Sequence, residues 1–424
     1  MKKLIKDPVF TNIFWLFLDK GYGAILTLYI YAKMATYFGA EVFGIWNYIV
    51  SFGSILPAVA SLGLNYIIVK RLEKNPLISD KILSISFYLR LFTGVITAII
   101  LFISYVILNI NFTNDLLLVI ILLFSSQIVL NSNIYIQKNE ANLRNKKTVI
   151  ARNISLTFFF VLKLIAIEKG LDVVYFALFT LLEYLLFFVI IKIREDHKLN
   201  LPSTYFRKKI APSLLKEGFP LMLAAITTTL YLKIDQLFIA SFTNNEDVGI
   251  YAASSRISEF LYAIPVIISN VFFPKIIKAL SKFEVDKLLN KMFALALTIA
   301  VLCVLFITTF SDTIIEIVYG TEYKQASQVL KAHAWTIILM TLLVTSSKYL
   351  LKINRQDIIF KRELMGLITN IALNFILIPK YGIMGAAWAT LISYSVSSFF
   401  SNLLFKDTRS LIKKQILSIY YLTK

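Results

Sequence analysis

The chain has 424 residues, of which 58% are hydrophobic and only 16% are charged. Soluble proteins carry about a quarter charged residues, so this composition excludes an ordinary soluble domain and indicates an all-α, multi-pass membrane protein. The formal net charge of +19 would also suit a nucleic-acid-binding protein, but the placement of the basic residues along the chain explains the charge without nucleic acid.

Apolar runs long enough to cross about 30 Å of hydrocarbon, at about 1.5 Å per residue, recur about twelve times. The predicted spans are 11–32, 43–69, 82–109, 116–136, 149–167, 171–192, 218–242, 249–273, 288–310, 327–350, 358–378 and 382–405. Basic residues concentrate in alternate connections between these spans. The positive-inside rule assigns those connections, and with them both termini, to the cytoplasm.

Two stretches about half a chain apart resemble each other, which suggests an internal duplication. Residues 41–46 (Glu-Val-Phe-Gly-Ile-Trp) match residues 246–251 (Glu-Asp-Val-Gly-Ile-Tyr). Each stretch opens a span that later contains a proline, Pro57 or Pro265, and a proline is expected to kink its helix. Six spans separate the equivalent positions, so the two halves have the same orientation.

The duplication predicts three regions. They are an N-terminal six-helix lobe over residues 1–195, a basic cytoplasmic linker over 196–217, and a C-terminal six-helix lobe over 218–424. The linker is expected to lie on the anionic surface of the cytoplasmic leaflet. Phosphate binding by its basic run, residues 207–209, is an alternative.

Charged residues occur inside several predicted spans, where they are costly unless they face protein or a watery cavity. The basic ones are Lys20, Arg90, Lys163, Lys233 and Arg256. The acidic ones are Asp19, Glu183, Asp235 and Glu259. They could simply neutralise each other as buried salt bridges, but such pairs seldom repay their desolvation. We therefore favour a functional, cationic central cavity.

The basic excess suits an anion with several oxygens, such as a phosphate or diphosphate. The carboxylates are expected either to hold basic side chains in place or to bind a proton or sodium ion during transport. Glu183 is the preferred candidate for titration because its own span offers no basic residue at helical spacing. Arg256 and Glu259 share a helix face and can pair, whereas Lys233 and Asp235 point to different faces.

The common catalytic motifs are missing from the sequence. Its two histidines, His197 and His333, are far apart, and it has no HExxH, glycine-rich phosphate loop or zinc-ligand spacing. The single cysteine, Cys303, excludes a disulfide framework and a cysteine metal cluster. We predict a protein that is not an enzyme, with no catalytic residues, metal or cofactor, driven by an ion gradient, the membrane potential or downstream use of its substrate.

Three segments carry the motifs of a known family. They are Tyr37-Phe38-Gly39 through Val69-Lys70-Arg71, Lys233-Ile234-Asp235-Gln236 through Arg256-Ile257, and Asn374 through Ile378-Pro379-Lys380-Tyr381-Gly382 to Thr390. These segments resemble the polysaccharide-biosynthesis flippases, that is, the Wzx-like O-antigen and related glycan flippases of the MATE-like MOP superfamily. The resemblance spans nearly the whole chain.

The resemblance implies a MATE-like fold of twelve helices in two lobes. It also implies a flippase that moves an undecaprenyl-diphosphate-linked oligosaccharide, an O-antigen of lipopolysaccharide or another surface glycan unit, to the outer leaflet of a bacterial inner membrane. Its partners would be the lipid-linked oligosaccharide, membrane lipids, and the glycan polymerase and glycosyltransferases of the same pathway, with no nucleic acid. Lys233, Asp235 and Arg256 fall on family-like motifs, whereas Lys20 and the other predicted cavity residues rest on the charge argument alone.

Two other functions stay open. A MATE-type ion-coupled drug or cation antiporter would depend on Asp19 or Asp235, although the basic excess argues against it. A membrane-embedded enzyme, or a scaffold for glycan-assembly proteins, would tolerate charge substitutions in the cavity. The lipid II flippase branch of the superfamily usually has two further helices, which the predicted spans do not include.

Overall fold

A computed structural model describes residues 8–74, 76–108, 114–195, 210–412 and 415. Among these residues every regular element is a helix, which confirms the all-α prediction. The α-helices are α1 Pro8–Gly53, α2 Ile55–Ala60, α3 Leu64–Lys74, α4 Ser79–Leu108, α5 Asn114–Asn131, α6 Tyr135–Ala141, α7 Asn145–Glu168, α8 Val173–Ile193, α9 Ile210–Phe242, α10 Asn245–Leu261, α11 Ala263–Lys278, α12 Lys282–Tyr319, α13 Ala326–His333, α14 Thr336–Lys352, α15 Gln356–Ser395 and α16 Ser401–Leu404. Short 3-10 helices at Pro76–Ile78 and Thr321–Tyr323 and a π-helix at Val396–Phe400 complete the list.

Ten continuous segments of the described chain are long and apolar enough to cross a membrane. Two of them, Leu18–Lys74 with 57 residues and Gln356–Leu404 with 49, are long enough to cross twice. Each contains a glycine with a positive φ and a non-helical backbone, Gly39 or Gly382, a conformation that glycine adopts without steric cost. The membrane-spanning architecture is confirmed, and the count of twelve spans stays a prediction.

The two prolines of the duplicated spans interrupt their helices as predicted. The break between α1 and α2 falls at Ser54, and the break between α10 and α11 falls at Tyr262. Each break lies three residues before its proline, Pro57 or Pro265. A proline has no N–H for the carbonyl four residues earlier and its ring clashes with that carbonyl, which favours a break at this point. Pro220 and Pro379, by contrast, lie inside α9 and α15.

Two further helix breaks carry no proline and were not predicted. They separate α5 from α6 and α13 from α14. Polar side chains hold both breaks: Arg90 donates to the carbonyl of Asn131, the last residue of α5, at 3.3 Å. At the second break, the hydroxyl of Thr336, the first residue of α14, lies 2.6 Å from that of Tyr262 at the α10–α11 break.

The chain forms two compact units. The N-terminal unit contains Met1–Tyr37 and Ile49–Thr229, and the C-terminal unit contains Phe38–Tyr48 and Leu230–Lys424. The units therefore exchange two segments relative to the predicted lobes, whose boundaries stay a prediction. The first part of the predicted linker, residues 196–209, lies outside the described residues, and so does its basic run.

A glycine-to-glycine contact packs Phe38–Tyr48 into the C-terminal unit. Gly44 and Gly249 are the glycines of the duplicated motif, and their helices touch backbone to backbone. A Cβ on Gly44 would lie 1.7 Å from the carbonyl oxygen of Asn245, and one on Gly249 would lie 2.1 Å from that of Ala40. Glycine at both repeat positions therefore permits the close approach of two helices in lipid.

We expect Gly44→Ala to destabilise the protein, because the new methyl group overlaps a backbone oxygen that cannot rotate away. Overpacking of this kind costs about 1–3 kcal/mol, so the thermal unfolding temperature in detergent should fall. Gly21→Ala is the matched control, since a Cβ there meets nothing within 4 Å and alanine favours a helix. Equal unfolding temperatures for the two variants would contradict the close contact.

Candidate functional site

The side chain of Asp235, on α9, is 4% exposed and is surrounded by neutral donors. Its Oδ1 accepts hydrogen bonds from Nδ2 of Asn370 at 3.0 Å and of Asn374 at 2.6 Å. Its Oδ2 accepts one from the Tyr251 hydroxyl at 2.7 Å and another from the Thr390 hydroxyl. In the described part of the chain, no basic side chain forms an ion pair with this carboxylate.

Helix α15 supplies three of these four donors. Asn370 and Asn374 are four residues apart and therefore share one helix face. Thr390 follows the non-helical backbone at Gly382, and its hydroxyl also lies 3.0 Å from the carbonyl oxygen of Ala386. The Oδ1 atom of Asn374 is buried without a hydrogen-bond partner, although the same amide group contacts Asp235.

This arrangement has the chemistry of a site for a small cation or a proton. An ionised carboxylate buried without a positive partner is costly, and either species would remove that cost. Carboxylate, amide and hydroxyl oxygens are the ligands that hard cations prefer. The amide oxygen of Asn374 has no hydrogen-bond partner within the protein, so it is available as a further ligand.

Lys233 and Arg256 lie elsewhere in the same C-terminal unit. The ammonium of Lys233 pairs with the Glu259 carboxylate at 3.4 Å, and both side chains are about a quarter exposed. Lys233 and Asp235 thus have different environments, as their spacing predicted. Arg256 is partly exposed and donates to Oδ1 of Asn47 at 3.5 Å.

Asn47 belongs to Phe38–Tyr48 and is 1% exposed. Its Nδ2 donates to the carbonyl oxygen of Phe43 at 2.7 Å, which fixes the amide orientation and turns its oxygen toward Arg256. The hydrogen bond from Arg256 to Asn47 therefore links α10 to Phe38–Tyr48, the segment whose Gly44 packs against the same helix.

Arg90, in the N-terminal unit, is only 1% exposed. Its guanidinium donates to Oδ1 of Asn65 at 2.8 Å, to Oε1 of Gln137 at 3.2 Å and to the Asn131 carbonyl. These acceptors are neutral and lie next to the helix breaks of the predicted second and fourth spans. The structure thus gives Arg90 protein oxygens as partners, and its role in substrate binding stays a prediction.

The other charged residues of the N-terminal unit form ion pairs. Glu183 was expected to lack a basic neighbour in its own helix, but Lys163 on α7 lies 2.9 Å from it and both are 12% exposed. Glu183 therefore has a basic partner from another helix, and its selection for titration on the ground of lacking one was wrong. Asp19, 6% exposed, pairs with Arg152 at 3.1 Å, while its neighbour Lys20 is exposed.

Several partners of the predicted residues were not predicted. Of the residues around Asp235, Asn370 was not identified, and Tyr251, Asn374 and Thr390 appeared only within sequence motifs, without a role at this site. Two asparagines four residues apart in an apolar span are the signal that could have found them, because amides at that depth need partners. Arg152, the partner of Asp19, was considered only as one of the basic residues that indicate membrane orientation.

Comparison with known proteins identifies a family. A family model described as "Polysaccharide biosynthesis protein" matches residues 34–328. The probable low-salt glycan biosynthesis flippase Agl15 of Haloferax volcanii is 27% identical over 202 residues, which are 46% of this chain and 43% of that protein. The capsular polysaccharide biosynthesis protein CapF of Staphylococcus aureus is 23% identical over 380 residues, 88% of this chain and 92% of that protein. The chain thus aligns with less than half of the first relative and with most of the second.

Solved structures share the fold over nearly the whole chain. A lipid II flippase MurJ in an inward closed conformation gives a TM-score of 0.77 at 19% identity, covering 97% of this chain and 92% of that one. An inward-facing multidrug resistance MATE family transporter gives a TM-score of 0.72 at 16% identity, covering 92% and 95%. The predicted MATE-like fold is confirmed.

Proposed function

Because the chain belongs to the polysaccharide biosynthesis protein family, we propose that it flips an undecaprenyl-diphosphate-linked oligosaccharide across the membrane. Lipid-linked glycan flipping is the activity that the family and its named flippase relatives support, and such proteins are transporters, not enzymes. The proposed cargo is an O-antigen or other surface glycan unit, moved from the cytoplasmic to the outer leaflet. The family match over residues 34–328 carries this proposal because it extends through both halves of the sequence.

Lys233 and Arg256 are the best candidates to bind the diphosphate. Both lie within helices of a multi-pass membrane protein and keep part of their surface exposed. A guanidinium and an ammonium from neighbouring helices suit the oxygens of a diphosphate. Lys20 is exposed and fits the same role, whereas Arg90 is enclosed by protein and Lys163, at 12% exposed, is more deeply buried in its ion pair than Lys233 is. We propose that these groups act in an alternating-access cycle.

We further propose that Asp235 binds the coupling ion, a proton or sodium. Its four neutral donors come from α10 and α15, so binding of a cation would change contacts among three helices. A ligand shifts a conformational equilibrium only by its difference in affinity for the two states. Rearrangement of these contacts would supply that difference, and the ion gradient would then drive the cycle.

The cellular setting follows from the same proposal. The protein is a multi-pass membrane protein, and we place it in a bacterial cytoplasmic membrane with both termini in the cytoplasm. Membrane lipids surround it, and its proposed partners are the glycosyltransferases that supply the glycan and the polymerase that consumes it. An ion-coupled drug or cation antiporter is the second candidate, because the Asp235 cluster would serve that function equally well.

Cells that lack this gene are expected to accumulate lipid-linked glycan on the cytoplasmic face, and wild-type protein should release it. Arg256→Ala should fail to release it, because losing a charged hydrogen bond costs about 1.5–3 kcal/mol, or roughly tenfold to a hundredfold in transfer rate. Arg355→Ala is the matched control, since Arg355 lies between α14 and α15 and pairs with Asp357. The readout is the leaflet location of the lipid-linked glycan.

The outcomes separate the function from the site. Release by Arg256→Ala would remove Arg256 from the binding site and leave the flippase function standing. A deletion strain that accumulates no lipid-linked glycan would contradict the function itself, and dye efflux would then test the antiporter.

Sodium is expected to raise the thermal stability of the purified wild-type protein relative to choline, because a bound ion stabilises the native state. Asp235→Asn should abolish this response, and Glu183→Gln should keep it because Glu183 already pairs with Lys163. A sodium response that survives Asp235→Asn contradicts the assignment. A wild-type protein whose transport responds to neither a sodium nor a proton gradient contradicts the coupling proposal.

A further inference from the structure

The turn between α11 and α12 and the two helix ends next to it present exposed apolar side chains. Residues 277–283 form this α11–α12 turn. Leu280 at its tip is 100% exposed, Phe283 is 78% exposed and Ile277 is 50% exposed. Residues of this kind at the end of a span need an apolar or amphipathic surface to cover them.

The turn has a fixed conformation that keeps these side chains outward. The ammonium of Lys352 donates to the carbonyls of Ile277 at 2.6 Å and Ala279 at 3.1 Å, satisfying groups at the end of α11. The Ser281 hydroxyl accepts from the backbone N–H of Glu284 at 3.1 Å and so caps α12. Ala279 itself is buried in a core cluster of the C-terminal unit.

Basic side chains surround the exposed apolar ones. The exposed lysines in and next to the turn are Lys275, Lys278, Lys282 and Lys287. Glu284 and Asp286 are the acidic residues in the same stretch, so the stretch carries a net positive charge. Lysines next to exposed Leu and Phe are typical of a segment that lies at an anionic membrane surface.

Chain length keeps the turn close to the bilayer. Helix α11 ends at Lys278 and α12 begins at Lys282, and both belong to segments able to cross a membrane. The three residues between them reach at most about 10 Å when fully extended. The predicted spans on either side end at residue 273 and begin at residue 288, so Leu280 lies seven and eight residues from them, about 10–12 Å of helix rise.

The turn between α3 and α4 repeats the pattern in the N-terminal unit. Leu77 is 100% exposed in a short 3-10 helix, with Lys74 before it and Lys81 after it. Both turns join the second and third predicted spans of their half of the sequence. An exposed leucine thus occurs with nearby lysines at equivalent positions of the duplication, although Glu73 and Asp80 offset the two lysines of the α3–α4 turn.

We propose that the α11–α12 turn binds anionic phospholipids of the cytoplasmic leaflet. Leu280 and Phe283 insert at the boundary between headgroups and acyl chains, and the flanking lysines contact lipid phosphates. This surface is separate from the Asp235 cluster and from Lys233 and Arg256, and it does not depend on the proposed cargo.

Site-directed spin labelling tests the proposal in the full-length protein. In a Cys303→Ser background, which removes the lone cysteine, a label is attached at Leu280→Cys and, in a second variant, at Phe283→Cys. Asn142→Cys, at an exposed position between α6 and α7 and outside the membrane-spanning segments, gives a water-exposed reference. The proteins are reconstituted in phosphatidylcholine with or without phosphatidylglycerol, and collisions of each label with oxygen and with a water-soluble nickel complex are measured.

The labels at Leu280 and Phe283 are expected to favour oxygen over nickel in vesicles with phosphatidylglycerol, and the Asn142 label to favour nickel. Replacing Lys278 and Lys282 with Gln should shift the Leu280 label toward water in those vesicles. Leu280 and Phe283 labels as accessible to nickel as the Asn142 label overturn the proposal, and so does a membrane depth of the Leu280 label that is unaffected by the lysine substitutions. Labels that are water-exposed in vesicles but shielded in native membranes indicate a protein partner and also overturn it.

Discussion

A carboxylate buried in an apolar helix sets the arrangement of the C-terminal unit. Asp235 is nearly inaccessible, and the four groups that bond to it are neutral. Since charge is costly at this depth, α10 and both parts of α15 must approach α9 closely enough to donate to it. The backbone departure at Gly382 allows Thr390 and Asn374 to contact the same carboxylate although they lie on opposite sides of that glycine.

The N-terminal unit satisfies its buried charges differently. Glu183 pairs with Lys163, and Asp19 pairs with Arg152. Each of these carboxylates is thus paired with a basic side chain, whereas the groups that donate hydrogen bonds to Asp235 carry no charge. This contrast is the reason for assigning the coupling ion to the C-terminal unit.

The fold class could be predicted from the sequence because hydropathy and the effect of proline on a helix depend only on residues that are close together in the chain. The spans, the breaks before Pro57 and Pro265 and the charged positions followed from that reasoning. The duplicated glycines were visible as a motif, but their contact was not, because it depends on how two distant helices cross. The breaks at α5–α6 and α13–α14 carry no proline and had no local signal.

The partners of the charged residues were the least predictable feature. Spacing within one helix identified Glu183 as lacking a partner, but Lys163 reaches it from a neighbouring helix. The donors to Asp235 come from positions 16 to 155 residues away in the sequence, so no short-range pattern could assemble them. The sequence therefore predicted which residues carry charge, and only the three-dimensional packing determined which carboxylate has neutral partners.

Transfer of a lipid-linked oligosaccharide in proteoliposomes containing only this protein tests the central claim most directly. An impermeant glycan-cleaving enzyme added outside reports how much lipid-linked glycan is accessible. We predict that an imposed sodium or proton gradient changes the accessible fraction with the wild-type protein and leaves it unchanged with Asp235→Asn. Accessibility that equals that of protein-free vesicles under every gradient would contradict the account.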